Sequence, residues 1–223
     1  MSLDILFQDE HFIATNKPSG LLVHPYWKET NERECLLKDL RDQIGKYLYP
    51  IHRLDRPVSG IVIFGLHQDA VRSLQSVWHD ESTKKIYTAL ARGRHETDQE
   101  YSFALRNEQK LEQEALTLTR TLELFERSSL LEVEIKTGRR HQIRRHLSRR
   151  IAHVIGDRKY GKKAINDHYK DNYGIDRIFL HATQLSFTHP FTGGKTIIDC
   201  PLPADLQNSL TKMRQREFTP SED

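Results

Sequence analysis

An aspartate with arginines close on either side, Arg53-Leu54-Asp55-Arg56, stands just ahead of an apolar run, Ile61-Val62-Ile63-Phe64. Cations flanking a carboxylate favour its charged form. Pro57, Ser59 and Gly60 bend the chain, which is how a side chain comes to be presented at a strand end. A carboxylate held this way can serve as a nucleophile or a general base. A second concentration of charge lies far along the chain. Between Arg139 and Arg150 there are six arginines, two histidines and no acid. Such a block is a phosphate-binding footprint, in which each contact releases counterions condensed on a nucleic acid. Taken singly, the two features also describe a solvated surface turn and a solvated basic helix face.

Other chemistries find little support. No Cys cluster and no His-Glu-x-x-His motif is present, and His141 and His146 are five positions apart, a poor match to one helix face. We therefore expect no metal, and the absence of a Gly-rich phosphate loop argues against a nucleotide cofactor. Asp157, ahead of Arg158-Lys159-Tyr160-Gly161, reads as a turn residue. The 223 residues allow one well-cored domain without demanding two. The mean hydropathy of -0.67 indicates a polar globule with no membrane span. Net charge is only +3, from 34 basic and 31 acidic residues, so any nucleic-acid signal lies in the distribution of charge. The start, Met1 to Asp9, has no basic leader and is interrupted by Asp4, unlike a signal peptide. Two distant cysteines, Cys35 and Cys200, point to a reduced cytoplasmic protein.

The elements that must position these groups follow from periodicity. Ile5-Leu6-Phe7, Phe12-Ile13-Ala14, Ile61 to Leu66, Ile86 to Arg92 and Leu116 to Phe125 read as strands. Leu131 to Lys136 alternates most cleanly of all. Glu34 to Leu48 carries apolar residues at helical spacing, and Asp69 can cap a helix whose stripe is Val71, Leu74, Val77 and Trp78. Arg139 to Ile151 reads as a helix with Ile143, Leu147 and Ile151 inward. Weaker strands are expected at Ala152 to Ile155 and Phe179 to Thr188, separated by a polar stretch from Lys162 to Asp176, and a last helix at Ala204 to about Arg214. The elements lack a regular βαβ rhythm. The expectation is an α+β fold, a mixed and largely antiparallel sheet with packed helices, forming a single domain over residues 1–216 with a frayed tail at 217–223.

The string His52 to Gly60 resembles the signature loop of the pseudouridine synthases, in the branch that includes large-subunit rRNA synthase A. Further strings resemble that family in the same order: Asn16 to His24, Lys85 to Ala89, Thr137 to Arg144, Ile155-Gly156-Asp157 with Tyr160-Gly161, and Leu180 to Ala182 with Leu185 to Pro190. Val58 stands where the family more often has threonine. The matching core begins almost at residue 1, so no separate N-terminal RNA-binding domain is expected. The segment between Gly93 and Ala115 is shorter than in relatives, which carry a longer insertion there.

The resemblance implies an RNA uridine-to-pseudouridine isomerase needing no cofactor. Asp55 would be the essential oxygen, Arg144 the guanidinium paired with it, and Tyr87 the ring stacked on the target uracil. A uridine in a stem must be flipped out before an aspartate can reach it. Arg53 would fill the vacated stack, since residues two apart in an extended segment point to one side. Arg56, Arg139, Arg140, His141 and Arg145 are the further RNA-binding candidates, while His52 reads as structural. The run Thr137 to Gly193 is most similar to tRNA-acting members, implying a stem uridine of the position-65 type, with rRNA as the alternative. Two readings of other classes stand beside it. A catalytically silent RNA-binding protein would have lost the Asp, Tyr or Arg, and all three are present. A glycoside or nucleoside hydrolase usually needs two paired carboxylates, and one is placed here. A monomer acting on RNA is the expected assembly.

Overall fold

The structure is a computed structural model and describes residues 2–24, 35–150 and 152–217. In chain order its first half contains β1 (Ile5–Gln8), β2 (Phe12–Lys17), α1 (Leu36–Ile44), β3 (Tyr49–Pro50), β4 (Ser59–Gly65), α2 (Gln68–Val77) and β5 (Lys84–Arg92). Then come β6 (Gln99–Tyr101), β7 (Leu105–Arg106), β8 (Glu112–Gln113), β9 (Thr117–Leu124) and β10 (Ser128–Ile135). The remainder is α3 (Gln142–Arg149), α4 (Lys163–Tyr173), β11 (Leu180–Thr188), β12 (Lys195–Asp199) and α5 (Ala204–Glu217). The fold is α+β with a mixed, largely antiparallel sheet, as expected. Every strand pair whose register is described here runs antiparallel.

The chain divides into two compact units. The first comprises Met1–Lys85 and Ala182–Cys200. Its strands run in the order β1-β2-β4-β11, with β3 added to β4 and β12 to β11. Every residue of β4 is buried, which is why Ile61 to Phe64 reads as a continuous apolar run without alternation. Phe12, Ile61, Ile63, Leu74, Phe187 and Ile198 make up most of this core. The second unit comprises Ile86–His181 and Pro201–Asp223, with strand order β5-β10-β9-β6 and a separate hairpin of β7 and β8. Leu131, Val133 and Ile135 of β10 are buried while Glu132 and Glu134 are half-buried, as its alternation requires. The core here includes Leu90, Phe125, Ile155, Tyr169, Phe179 and Leu210.

Several elements differ from expectation for identifiable reasons. The cap of α2 is His67, whose Nδ1 accepts the Ala70 N–H at 3.2 Å; Asp69 lies inside the first turn, where its charge still favours the helix dipole. The polar stretch after Lys162 folds as α4. Its inward stripe is only Ile165, Tyr169 and Tyr173, four apart, too sparse to register as a helical period among charged neighbours. Ala152 to Ile155 forms a single bridge, Ala91 to Val154, and not a strand. Ile155 instead exchanges backbone hydrogen bonds with Leu90 and Phe179 at 2.8 Å. The helix expected from Arg139 starts at Gln142, because His141 adopts a left-handed conformation at its cap; Ile151 lies outside the described residues. Of the tail expected to fray, Glu217 closes α5 and 218–223 lie outside the described residues.

Gly60 tests how tightly the first unit is assembled. Its φ is +115°, and an added Cβ would stand 2.4 Å from the Ala182 carbonyl oxygen. Gly60→Ala is expected to cost more than about 3 kcal/mol, combining backbone strain with overpacking. Gly193→Ala, at φ +69° with open space around it, should cost about 1 kcal/mol. Urea unfolding of both variants checks this, and equal losses would contradict the close approach at Gly60.

Candidate active site

The Asp55 loop is held from below by a buried cation. Lys17, at the end of β2, is fully buried, and its Nζ donates to the carbonyl oxygens of Pro18 and Leu21 at 2.8 Å and of Arg56 at 3.1 Å. An ammonium removed from water needs such partners, and these three oxygens tie the Lys17 turn to the Asp55 loop. More bonds reinforce the tie: Gly20 N–H to the Arg56 carbonyl at 2.8 Å, Arg56 Nε to the Gly20 carbonyl at 2.9 Å, and Ser19 Oγ to the Pro57 carbonyl at 2.7 Å. A tight turn closes with Val58 N–H donating to the Asp55 carbonyl at 3.0 Å. Leu54 is buried, Arg53 exposed and Asp55 half-buried, the pattern of an extended segment entering a turn. His52 anchors the start of the loop, its Nε2 accepting the Ile63 N–H at 3.2 Å, with its ring 5.1 Å from that of Trp78. Burial, and then the charge of Lys85, pushes its pKa down to about 4, so it is neutral at physiological pH.

In the second unit Arg144 is gripped by Asp157. Nε donates to Oδ2 at 2.8 Å and Nη2 to Oδ1 at 2.9 Å, with both side chains buried. This is the planar two-point grip that suits arginine to a dry site. Asp157 Oδ1 also accepts the N–H groups of Lys159 at 2.9 Å and Tyr160 at 3.2 Å. Burial raises the Asp157 carboxyl, but the Arg144 hydrogen bonds and charge, with the two backbone donors, outweigh it and hold the pKa below its ordinary value. Asn166 fixes the turn by taking the Gly156 N–H at 2.9 Å and donating to the Asp157 carbonyl at 3.0 Å. The Tyr160 ring lies 5.1 Å from the Arg144 guanidinium, and its hydroxyl is 2.8 Å from His141 Nδ1. Asp157 is a turn residue, as its sequence suggests, and it is also the anchor of Arg144, which the sequence does not reveal.

Tyr87 is buried on β5 opposite Val133 of β10. The remaining candidates divide by how far each is already engaged. Arg53 is exposed, and the Arg56 guanidinium is used in the turn described above. Arg139 Nε donates to the Glu114 carbonyl at 2.8 Å, Arg140 forms an ion pair with Glu108, and Arg145 Nη1 reaches the Arg140 carbonyl at 3.4 Å. Gln142 and His146, with no assigned role in the sequence reading, are buried hubs. Gln142 accepts from the Thr137 hydroxyl at 2.7 Å and the Arg139 N–H at 3.0 Å, and donates to Leu116 and Thr117. His146 bridges Thr117 Oγ1 and the Phe103 carbonyl, and burial lowers its pKa. A polar residue inside an apolar helix stripe, or a lysine inside a strand, is the signal that would have marked these hubs and Lys17. Among the described residues no group of three or more His, Cys, Asp or Glu side chains could hold a metal.

Residues 11–149 match the family described as RNA pseudouridylate synthase, and the chain belongs to that family. Its relatives include proteins named tRNA pseudouridine synthase C. That of Vibrio vulnificus (strain CMCP6) is 34% identical over 218 residues, covering 88% of this chain and 89% of its own. That of Salmonella typhimurium (strain LT2) is 36% identical over 240 residues, covering 98% and 92%. Among solved structures, human RNA pseudouridylate synthase domain containing 4 superposes with a TM-score of 0.78 at 22% identity, covering 95% of this chain and 93% of that one. Human RNA pseudouridylate synthase domain containing 1 gives 0.74 at 24%, covering 100% and 97%. At these identities the two human proteins speak to the fold.

Two predictions concern the charged anchors. Asp157→Asn removes the buried carboxylate charge that grips Arg144 at two points and should cost about 3 kcal/mol at pH 7. A carboxyl whose pKa is lowered by folding stabilises above its unfolded value and loses that contribution as pH falls through the folded one. The gap between wild type and variant in urea unfolding should therefore narrow once pH drops below 3.8. His52 has the opposite chemistry: its folded form resists protonation, so protons bind the unfolded chain preferentially and stability falls as pH drops from 6.5 towards 4. His52→Gln should flatten the melting temperature over that window; an unchanged pH dependence would show that His52 does not titrate with folding.

Proposed function

We propose that this protein converts a stem uridine of tRNA to pseudouridine, with Asp55 as the essential oxygen, Arg144 as its partner guanidinium and Tyr87 as the ring against the target base. In this isomerisation the bond from uracil N1 to the sugar C1′ breaks, the base turns, and C5 bonds to C1′. The C5 proton leaves and N1 gains one, so no electrons are exchanged and no group is acquired. The reaction needs an oxygen nucleophile or base beside the sugar and a positioned cation to keep that oxygen charged. The observation that carries the reading is the loop on Lys17, which holds Asp55 half-buried at a fixed turn beside exposed Arg53. The preset fork of Arg144 supports it from the second unit. We read the two units as acting together as one catalytic domain over residues 1–216.

The tRNA assignment rests on relatives that carry that name over most of their length and of this chain. The proposed action is on RNA in the cytoplasm, by a monomer; among the described residues no helix is long and apolar enough to cross a membrane. Arg53 is proposed to occupy the stack vacated by the flipped nucleotide, at an unstacking cost of a few kcal/mol. Arg56, Arg139, Arg140, His141 and Arg145 are proposed to meet the RNA around it.

An unmodified tRNA transcript labelled in uridine provides the test. Wild type should yield pseudouridine and no free uracil, whereas Asp55→Asn should yield neither while binding the transcript with wild-type affinity. Turnover by Asp55→Asn would reject the catalytic assignment. Release of free uracil would favour a hydrolase, and modification of an rRNA fragment but not tRNA would overturn the substrate.

A further inference from the structure

The short segment between Gly93 and Ala115 carries β6, which pairs with β9, and then the β7–β8 hairpin, whose contacts bear on how the basic block meets RNA. Its base is bolted to α3 and to Arg139 ahead of that helix. His146 bonds the Phe103 carbonyl at 3.1 Å, Arg149 lies 4.7 Å over the Phe103 ring, and Arg139 Nε takes the Glu114 carbonyl at 2.8 Å. Its tip is closed by Asn107, whose Oδ1 accepts the N–H groups of Gln109 at 2.9 Å and Leu111 at 3.0 Å. From that fixed tip Glu108 reaches Arg140 and pairs with it, 32 positions away in sequence. The side chains in this pair are 45% exposed at Arg140 and 66% at Glu108, so solvent reaches both partners and an incoming anion could as well.

We propose that Glu108 is a placeholder for an RNA phosphate: its carboxylate occupies Arg140 in the free protein and is displaced when the substrate backbone docks. The proposal rests on the reading of this protein as an RNA-acting enzyme. Three properties of the pair support it. Arg140 stands four residues before Arg144, just ahead of the left-handed cap of α3, and so close in the chain to a residue of the proposed site. An exposed ion pair contributes no more than about 1 kcal/mol, so exchange costs little. The rigid base keeps the acid at a set distance, so only an RNA that places a phosphate at that spot recovers the lost contact.

Filter binding of an unmodified tRNA transcript across a series of KCl concentrations tests the exchange, with thermal melting to confirm folding of each variant. Glu108→Gln should tighten binding about threefold, the scale of an exposed ion pair. The salt slope should stay unchanged, since the same phosphates are neutralised. Arg140→Gln should weaken binding and flatten the slope by about 0.7–0.9, the value of one lost phosphate contact. In the double variant the gain from Glu108→Gln should vanish. Unchanged or weaker binding by Glu108→Gln overturns the proposal. So does a gain that persists in the double variant, which would mark a general effect of removing one negative charge. Pseudouridine formation by wild type, assayed alongside, reports separately on the functional reading.

Discussion

The Lys17 ammonium has no access to water, and the loop that carries Asp55 is built around that fact. A cation in a dry interior must find oxygen atoms at hydrogen-bond distance, and here it finds them on backbone carbonyls of Pro18, Leu21 and Arg56. The same three bonds hold two turns together that are 39 positions apart. The turn that carries Asp55 is thus fixed by a buried cation on another turn. Ser19 and the Arg56 side chain add to the tie, and Gly60 allows the following strand to pass against Ala182.

The second unit solves the same problem with opposite chemistry. Arg144 is compensated by a full carboxylate, and Asp157 in turn is compensated by two backbone N–H groups. Because the guanidinium is planar and gripped at two points, its orientation is determined before any substrate arrives. Tyr160, His141 and Asn166 form a further shell that leaves Asp157 and Arg144 little freedom. His141 adopts left-handed backbone angles unusual for a residue with a side chain, a strain of the kind concentrated at functional sites.

The basic block shows why a charge count overstates an RNA footprint. Arg144 is committed to Asp157, Arg139 to a carbonyl, Arg149 to the ring of Phe103 and Arg140 to Glu108. These contacts differ in how easily they open. The Asp157 pair is buried and would cost several kcal/mol to break, whereas the Glu108 pair is exposed and weak. These four arginines thereby divide into one buried pair, Arg144 with Asp157, two that hold the base of the hairpin, and one proposed to exchange.

Local pattern was enough to find β4, β10 and α2 and to mark the Asp55 loop, because each is encoded by residues that are neighbours in the chain. Alternation in Leu131 to Ile135 and the continuous apolar run in β4 are burial patterns written directly in residue type. The strings of motif residues identified the family for the same reason. What lay outside local pattern was every partnership that closes over distance: Lys17 with Arg56, Arg144 with Asp157, Arg140 with Glu108. The α4 helix was hidden too, since its stripe of Ile165, Tyr169 and Tyr173 has meaning only against the core it covers. Residue type states that a charge exists. Which oxygen or nitrogen satisfies it is decided by packing, because the cost of burying an unmet charge selects among partners only once the chain has folded.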